Sequence, residues 1–167
     1  MSKNLKENDV LLLSGGVSKG KFDFIPEVME TLGVEKVFHR VAQRPGKPFW
    51  FGIQKEFGTA VFSFPGNPVS TYTNYHVYFV PWLSQSLGIL YPQQEVILGD
   101  PIKNTLPLTR FVQVNTYLEK GSLVVRPVRD NGSGDLASLC RSDGFVCLAP
   151  REKAYTRGSL VPFVPHK

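Results

Sequence analysis

Two proline–glycine turns constrain this chain more than any other feature: Arg44-Pro45-Gly46-Lys47-Pro48 and Phe64-Pro65-Gly66-Asn67-Pro68-Val69-Ser70. Each follows apolar or β-branched residues, and proline ends a strand by fixing φ and removing a donor. A third turn, Ser14-Gly15-Gly16-Val17-Ser18-Lys19-Gly20, follows the apolar run Val10 to Leu13, which suits a buried parallel strand. Phe24 to Leu32 reads as a helix, with Asp23 as its cap, Pro26 in its first turn and Gly33 just past its end. Val34 to Val41, Pro48 to Ile53 and Thr59 to Phe64 read as strands. Asn67 reads as an N-cap with Pro68 at the first helical position. The helix that follows carries Val69, Tyr72, Tyr75, His76 and Phe79 near one face, is kinked at Pro81 and closes at Gly88. Strand–turn–helix units of this kind predict a parallel sheet flanked by helices, over residues 1–92.

Residues 93–167 change character. Glu95 to Leu98, Phe111 to Leu118, Leu123 to Val128, Phe145 to Leu148 and Leu160 to Val164 are strand candidates, with Gly121, Gly132, Gly144 and Gly158 at the turns. This predicts a small all-β unit, barrel or sandwich. The stretch Gly132-Ser133-Gly134-Asp135-Leu136-Ala137-Ser138-Leu139 reads as a loop and one short helical turn, with Asp135 a turn residue.

The three turns of the first part carry the chemistry. An oxyanion needs donors that converge without bulk, which glycine and a helix start provide. In the first turn Ser14 and Ser18 add hydroxyls beside Gly15 and Gly16, and Lys19 and Lys21 add charge; a tight connection is the plainer alternative. In the second, the prolines stiffen the backbone around Gly46. Arg44 is suited to clamp an oxyanion and Lys47 to act as a point charge; solvated charges on a rigid hairpin are the alternative. In the third, Gly66 leaves room ahead of the cap, and Asn67 and Ser70 donate or accept. Asp23 is the acid set among these groups, a helix cap or a ligand for a divalent cation.

The bulk composition narrows the classes. The 167 residues carry a formal charge of +5, which permits an anionic ligand. No basic stripe with interleaved aromatics argues for nucleic acid. The two cysteines, Cys140 and Cys147, and the scattered His39, His76 and His166 spell no zinc site. Without a signal core or a bilayer-length apolar stretch, the expectation is a cytoplasmic protein that makes no membrane contact.

The three motifs, in this order and spacing, resemble the molybdopterin molybdotransferases, the MoeA/gephyrin E-domain family. The resemblance rests on Gly15-Gly16-Val17-Ser18-Lys19-Gly20 with Asp23, on Pro45-Gly46-Lys47-Pro48, and on Pro65-Gly66-Asn67-Pro68-Val69-Ser70. It implies an α/β fold: part of an open molybdopterin-binding sheet domain, then a small all-β barrel. It implies a role in molybdenum cofactor biosynthesis, where family members insert molybdate into adenylylated molybdopterin (molybdopterin-AMP), aided by magnesium, and release AMP. By motif, Asp23 would help hold the metal or molybdate, and Lys47 and Arg44 would hold anionic groups. Ser14, Gly15, Gly16, Ser18, Pro45, Gly46, Pro65, Gly66, Asn67, Pro68 and Ser70 would line the cofactor site.

Arg44 stands where the family usually has lysine. The chain matches the C-terminal part of a family member and lacks the TGDE-like motif of the sheet domain's first half. The resemblance therefore implies a homo-oligomer or a separate N-terminal family portion as partner, and an exposed sheet edge where the missing half would pair. A pterin- or nucleotide-binding module without turnover, and a gephyrin-like scaffold, are the alternatives.

Overall fold

A computed structural model describes residues 1–18, 23–129 and 135–166. Helix α1 (Ser2–Glu7) leads into strand β1 (Val10–Ser14). Helix α2 (Ile25–Thr31) and strands β2 (Glu35–His39), β3 (Gln43–Arg44), β4 (Trp50–Gln54) and β5 (Thr59–Phe64) follow. Four of these strands form one sheet in the order β1-β5-β4-β2. The sheet is mixed: β1 runs parallel to β5, but β5–β4 and β4–β2 are antiparallel. The expected parallel pairing holds for β1 with β5 and gives way at β4, because Lys55 to Gly58 joins β4 to β5 and is far too short for a crossover.

All six residues of β5 are buried, so both faces of this strand are covered. Alternation along the strand splits the core in two. Val61 packs with Leu5, Val17, Met29, Val34 and Trp50 on one side. Ala60, Phe62 and Phe64 pack with Phe49 and Phe79 on the other. That second side is aromatic: Phe51 and Phe62, cross-strand partners, have ring centroids 4.6 Å apart, and Phe49 stacks on Tyr78 at 5.0 Å.

Helix α2 ends as its sequence requires. Gly33 adopts φ +71, its N–H bonds Glu30 O, and Val34 N–H reaches back to Met29 O. This left-handed cap closes with Met29 and Val34 in the same core. Its start differs from expectation: Phe24 occupies the N-cap and makes no side-chain cap bond, so Asp23 sits one residue outside. Beyond β5 run α3 (Pro68–Asn74), a π-helical turn (Tyr75–Phe79) and α4 (Val80–Ser86), ending at Gly88 with φ +69. Pro81 follows the π turn. The wider turn lets Val80 N–H bond Tyr75 O immediately before the residue that has no donor.

The second sheet contains β6 (Gln94–Leu98), β7 (Thr109–Glu119), β8 (Ser122–Pro127), β9 (Gly144–Leu148) and β10 (Leu160–Pro165). Strand β7 pairs with β9 through its first half and with β8 through its second. The order β7-β8-β6-β10-β9 thereby closes on itself as a five-stranded barrel. Val96, Leu98, Val114, Val125, Val146, Leu148, Val161 and Phe163 fill it. Lys120 and Gly121, both with positive φ, make the β7–β8 hairpin.

Two local expectations in this half are corrected. Gly144 opens β9 rather than marking a turn: a Cβ there would lie 2.4 Å from Phe163 and 2.6 Å from Val164 O, so only glycine fits this pairing. Asp135 caps α5 (Leu136–Arg141), accepting from Ser138 N–H at 3.1 Å. Gly132, Ser133 and Gly134 lie outside the described residues.

Among the described residues, the halves meet at strand β3 and along the helix that follows β5. Strand β3 adds in parallel to the barrel at β7, pairing Gln43 with Thr109 and Arg44 with Arg110. The α3–π helix meets the barrel through Tyr72, His76, Phe145 and His166. Among the described residues, no helix is long and apolar enough to cross a membrane.

Candidate functional site

The first and third turns meet. Ser14 and Phe64 are register partners at the C-terminal ends of the parallel pair β1–β5, the end of a parallel sheet where α/β proteins bind ligands. Gly15 N–H bonds Phe64 O at 3.0 Å, and Ser14 Oγ lies 3.5 Å from Pro65 O. A Cβ on Gly66 would stand 3.6 Å from Gly15 Cα, so the two glycine backbones face each other. Gly15 and Gly16 have φ of +88 and +70, values that suit glycine.

The third turn is held from the helix it begins. Asn67 Oδ1 accepts from Ser70 N–H at 2.9 Å and Ser70 Oγ at 3.0 Å. Thr71 Oγ1 donates to Pro65 O. Ser70 is buried and its hydroxyl is engaged inside the cap, whereas Gly66 and Pro68 are exposed. The first turn is held from beneath. Val17 is buried, and His39 Nε2 donates to its carbonyl at 2.9 Å. Gly16 O accepts Ile25 N–H at 3.2 Å, which ties the glycine turn to the first residue of α2. Ser18 is exposed and Asp23 is half-buried; Lys19, Gly20 and Lys21 lie outside the described residues.

The second turn docks on α3 rather than on the other two turns. Gln43 Nε2 donates to Pro45 O at 2.8 Å and to Asn74 Oδ1 at 2.7 Å. Asn74 Nδ2 donates to Gly46 O at 3.0 Å, and Tyr78 Oη donates to Gln43 Oε1. Burial, and to a lesser degree Cys147, pushes the Tyr78 hydroxyl up to about 12, so it stays protonated and donates. Lys47 O accepts from Val41 and Phe49 N–H, both at 3.0 Å. Arg44 and Lys47 are exposed.

Among the described residues, no group of three or more His, Cys, Asp or Glu side chains could hold a metal ion. Asp23 offers one hard carboxylate, and magnesium commonly takes one or two protein carboxylates and completes its shell with phosphate oxygens and water.

Two family descriptions match this chain. "Probable molybdopterin binding domain" spans residues 1–85, the part that holds all three turns, and "MoeA C-terminal region (domain IV)" spans residues 95–166, the barrel. The chain belongs to the MoeA family. It is 37% identical over 158 residues to a molybdopterin molybdenumtransferase of Synechocystis, covering 94% of this chain and 38% of that protein. It is 28% identical over 167 residues to one of Staphylococcus epidermidis, covering 98% of this chain and 39% of that protein. The crystal structure of a molybdopterin biosynthesis MoeA protein from Pyrococcus horikoshii superposes with a TM-score of 0.70 at 25% identity, over 98% of this chain and 37% of that one. The chain therefore spans less than two-fifths of the length of these relatives.

The turns quoted by motif were the part of the candidate site visible in the sequence. Gln43, Asn74, Tyr78, His39 and Thr71, which hold those turns, were missed. Asn74 shows its role only in the structure: a fully buried amide inside a helix must find polar partners, because burying it unpaired costs roughly 1–3 kcal/mol.

Proposed function

We propose that this chain is part of a molybdopterin molybdotransferase and acts in molybdenum cofactor biosynthesis, helping to insert molybdate into adenylylated molybdopterin with release of AMP. The observation that carries this reading is the meeting of the Gly15–Gly16 and Pro65–Gly66 turns at the ends of β1 and β5, within the stretch that matches a molybdopterin-binding domain. Their glycines keep side-chain bulk away from the place where the two turns meet. In this reading Ser14, Gly15, Gly16, Ser18, Pro65, Gly66, Asn67 and Pro68 line the pterin site, Pro45 and Gly46 shape the turn that presents Lys47, and the buried Ser70 serves through the cap it makes with Asn67.

Lys47 and Arg44, both exposed, offer their cations to the ligand's anionic groups. Asp23 would supply the protein's carboxylate to magnesium, which would add positive charge beside the ligand's phosphate oxygens. The protein's own contribution is positioning and charge stabilisation. The setting is cytoplasmic. The division into units of 1–92 and 93–167 belongs to the same proposal.

Among the described residues, β1 pairs with β5 alone, so its outer edge is open to further strands. A second copy, or a separately encoded N-terminal portion, pairs there and completes the site. A second reading rests on the same meeting of the glycine turns: the chain binds the pterin without turning it over.

The deciding assay is magnesium- and molybdate-dependent AMP release from adenylylated molybdopterin. Release that falls in Asp23→Ala, with pterin affinity retained, supports the first reading. Tight pterin binding without release supports the second. Neither binding nor release, with a specific protein recovered as partner, refutes both in favour of a scaffold.

A further inference from the structure

We infer that Gln43, Asn74 and Tyr78 are positioning residues for the Pro45–Lys47 turn and set its ligand affinity through Lys47; the affinity part rests on the reading that this turn receives an anionic group of the pterin ligand. The three side chains form one directed hydrogen-bond chain. The protonated Tyr78 hydroxyl donates to Gln43 Oε1, which fixes the Gln43 amide so that both its N–H groups face the turn and Asn74. Asn74 accepts from Gln43 through Oδ1, which in turn aims its Nδ2 at Gly46 O. Flipping Gln43 sets its oxygen against Pro45 O and Asn74 Oδ1, and flipping Asn74 sets its oxygen against Gly46 O, acceptor against acceptor in each case.

The result is a turn held at successive carbonyls. Pro45 O and Gly46 O are held by side chains from outside the turn, and Lys47 O by the Val41 and Phe49 amides. Gly46 has φ +88, and the space a Cβ would need is filled by Asn74, whose Oδ1 lies 2.3 Å from that position. The Lys47 backbone is thus fixed while its side chain stays exposed.

The origin of the three residues matters. Gln43 belongs to the short strand paired with barrel strand β7, Asn74 ends α3, and Tyr78 lies in the π turn. Asn74 and Tyr78 stand four residues apart and so share a helix face. The network therefore sets the turn relative to both the helix begun by Asn67 and the barrel. A turn needing only to be closed would be served by apolar packing; a buried network with every amide assigned fixes direction as well.

The test combines two measurements on the whole chain. Tyr78→Phe keeps the ring that stacks on Phe49 and removes only the hydroxyl; Asn74→Ser is the stronger change. Without ligand, hydrogen exchange at the Val41 and Phe49 amides is expected to accelerate about tenfold or more in both variants, with the β1 and β5 amides unchanged. With molybdopterin as the titrated probe, affinity is expected to fall about tenfold, and by less than about twofold when Lys47→Ala is already present, as for residues acting through one contact.

Unchanged exchange at Val41 and Phe49 overturns the inference whatever the binding result. An equal affinity loss with and without Lys47 also overturns it, since the network would then act on the fold at large. Accelerated exchange in a protein whose wild type binds no molybdopterin refutes the pterin reading, and with it the affinity part, while upholding the positioning of the turn.

Discussion

Acid should loosen the seam between the helix and the barrel, and His76 makes the effect measurable. Its half-buried ring lies 4.5 Å from the Tyr72 ring, 5.1 Å from Tyr75 and 5.6 Å from His166, centroid to centroid. The His166 ring in turn sits between Tyr72 Oη, 3.2 Å from Nδ1, and Ser142 Oγ, 3.1 Å from Nε2. Burial first, and His166 second, bring the His76 pKa down from 6.5 to about 4. The unfolded chain thus binds a proton that the folded chain refuses between those values. Stability is complete above about pH 6.5 and falls as the pH drops toward 4. For a fully buried group this separation is worth about 3 kcal/mol; solvent around a half-exposed ring reduces it to about 1–2 kcal/mol.

The assay is urea unfolding of wild type and His76→Phe at about pH 7 and about pH 4.5, where the difference between proteins removes the carboxylate contribution common to both. Phenylalanine keeps the ring contacts and cannot titrate. Wild type should lose about 1–2 kcal/mol more than the variant on acidification. Parallel losses would refute the reasoning, because His76 would then carry no folding-linked proton.

Gly144→Ala should cost about 2–3 kcal/mol in denaturant unfolding, since the added methyl meets the Phe163 ring and the Val164 carbonyl, and backbone at a barrel closure yields little; an unchanged midpoint would contradict the tight pairing. Asn67→Ala removes the acceptor for Ser70 N–H and Oγ and should cost about 1–2 kcal/mol, whereas Asn67→Asp should retain most of the stability, both read by thermal or urea unfolding. If the pterin reading holds, Lys47→Ala should weaken molybdopterin binding and flatten its salt dependence, because one screened cation has gone.

Much of the fold was legible because local chemistry fixes it. Thr59 to Phe64 is a strand at the bounds its apolar run suggests, Asn67 and Pro68 begin a helix, and Gly33 and Gly88 end helices at positive φ. Each is settled by a residue's own dihedral range or by a cap within a few positions. The sheet's mixed direction was less visible. It turns on the short link from Lys55 to Gly58, which joins two segments read as strands and is too short for the crossover that a parallel pair needs. Gly144 misled because a glycine admitting close backbone contact looks, in sequence, like a glycine making a turn.

The sequence by itself determined the three turns, their order and the residues able to meet an anion, since proline, glycine and helix-cap preferences act over a few neighbouring positions. Only the tertiary structure decided which turns touch. Parallel pairing of β1 with β5 brings Gly15 to Gly66, whereas the Lys47 turn is carried to α3 and the barrel by Gln43, Asn74 and Tyr78. The physical reason is that register and buried polar pairing join groups far apart in the chain, and neither leaves a periodic mark on the residues that make them.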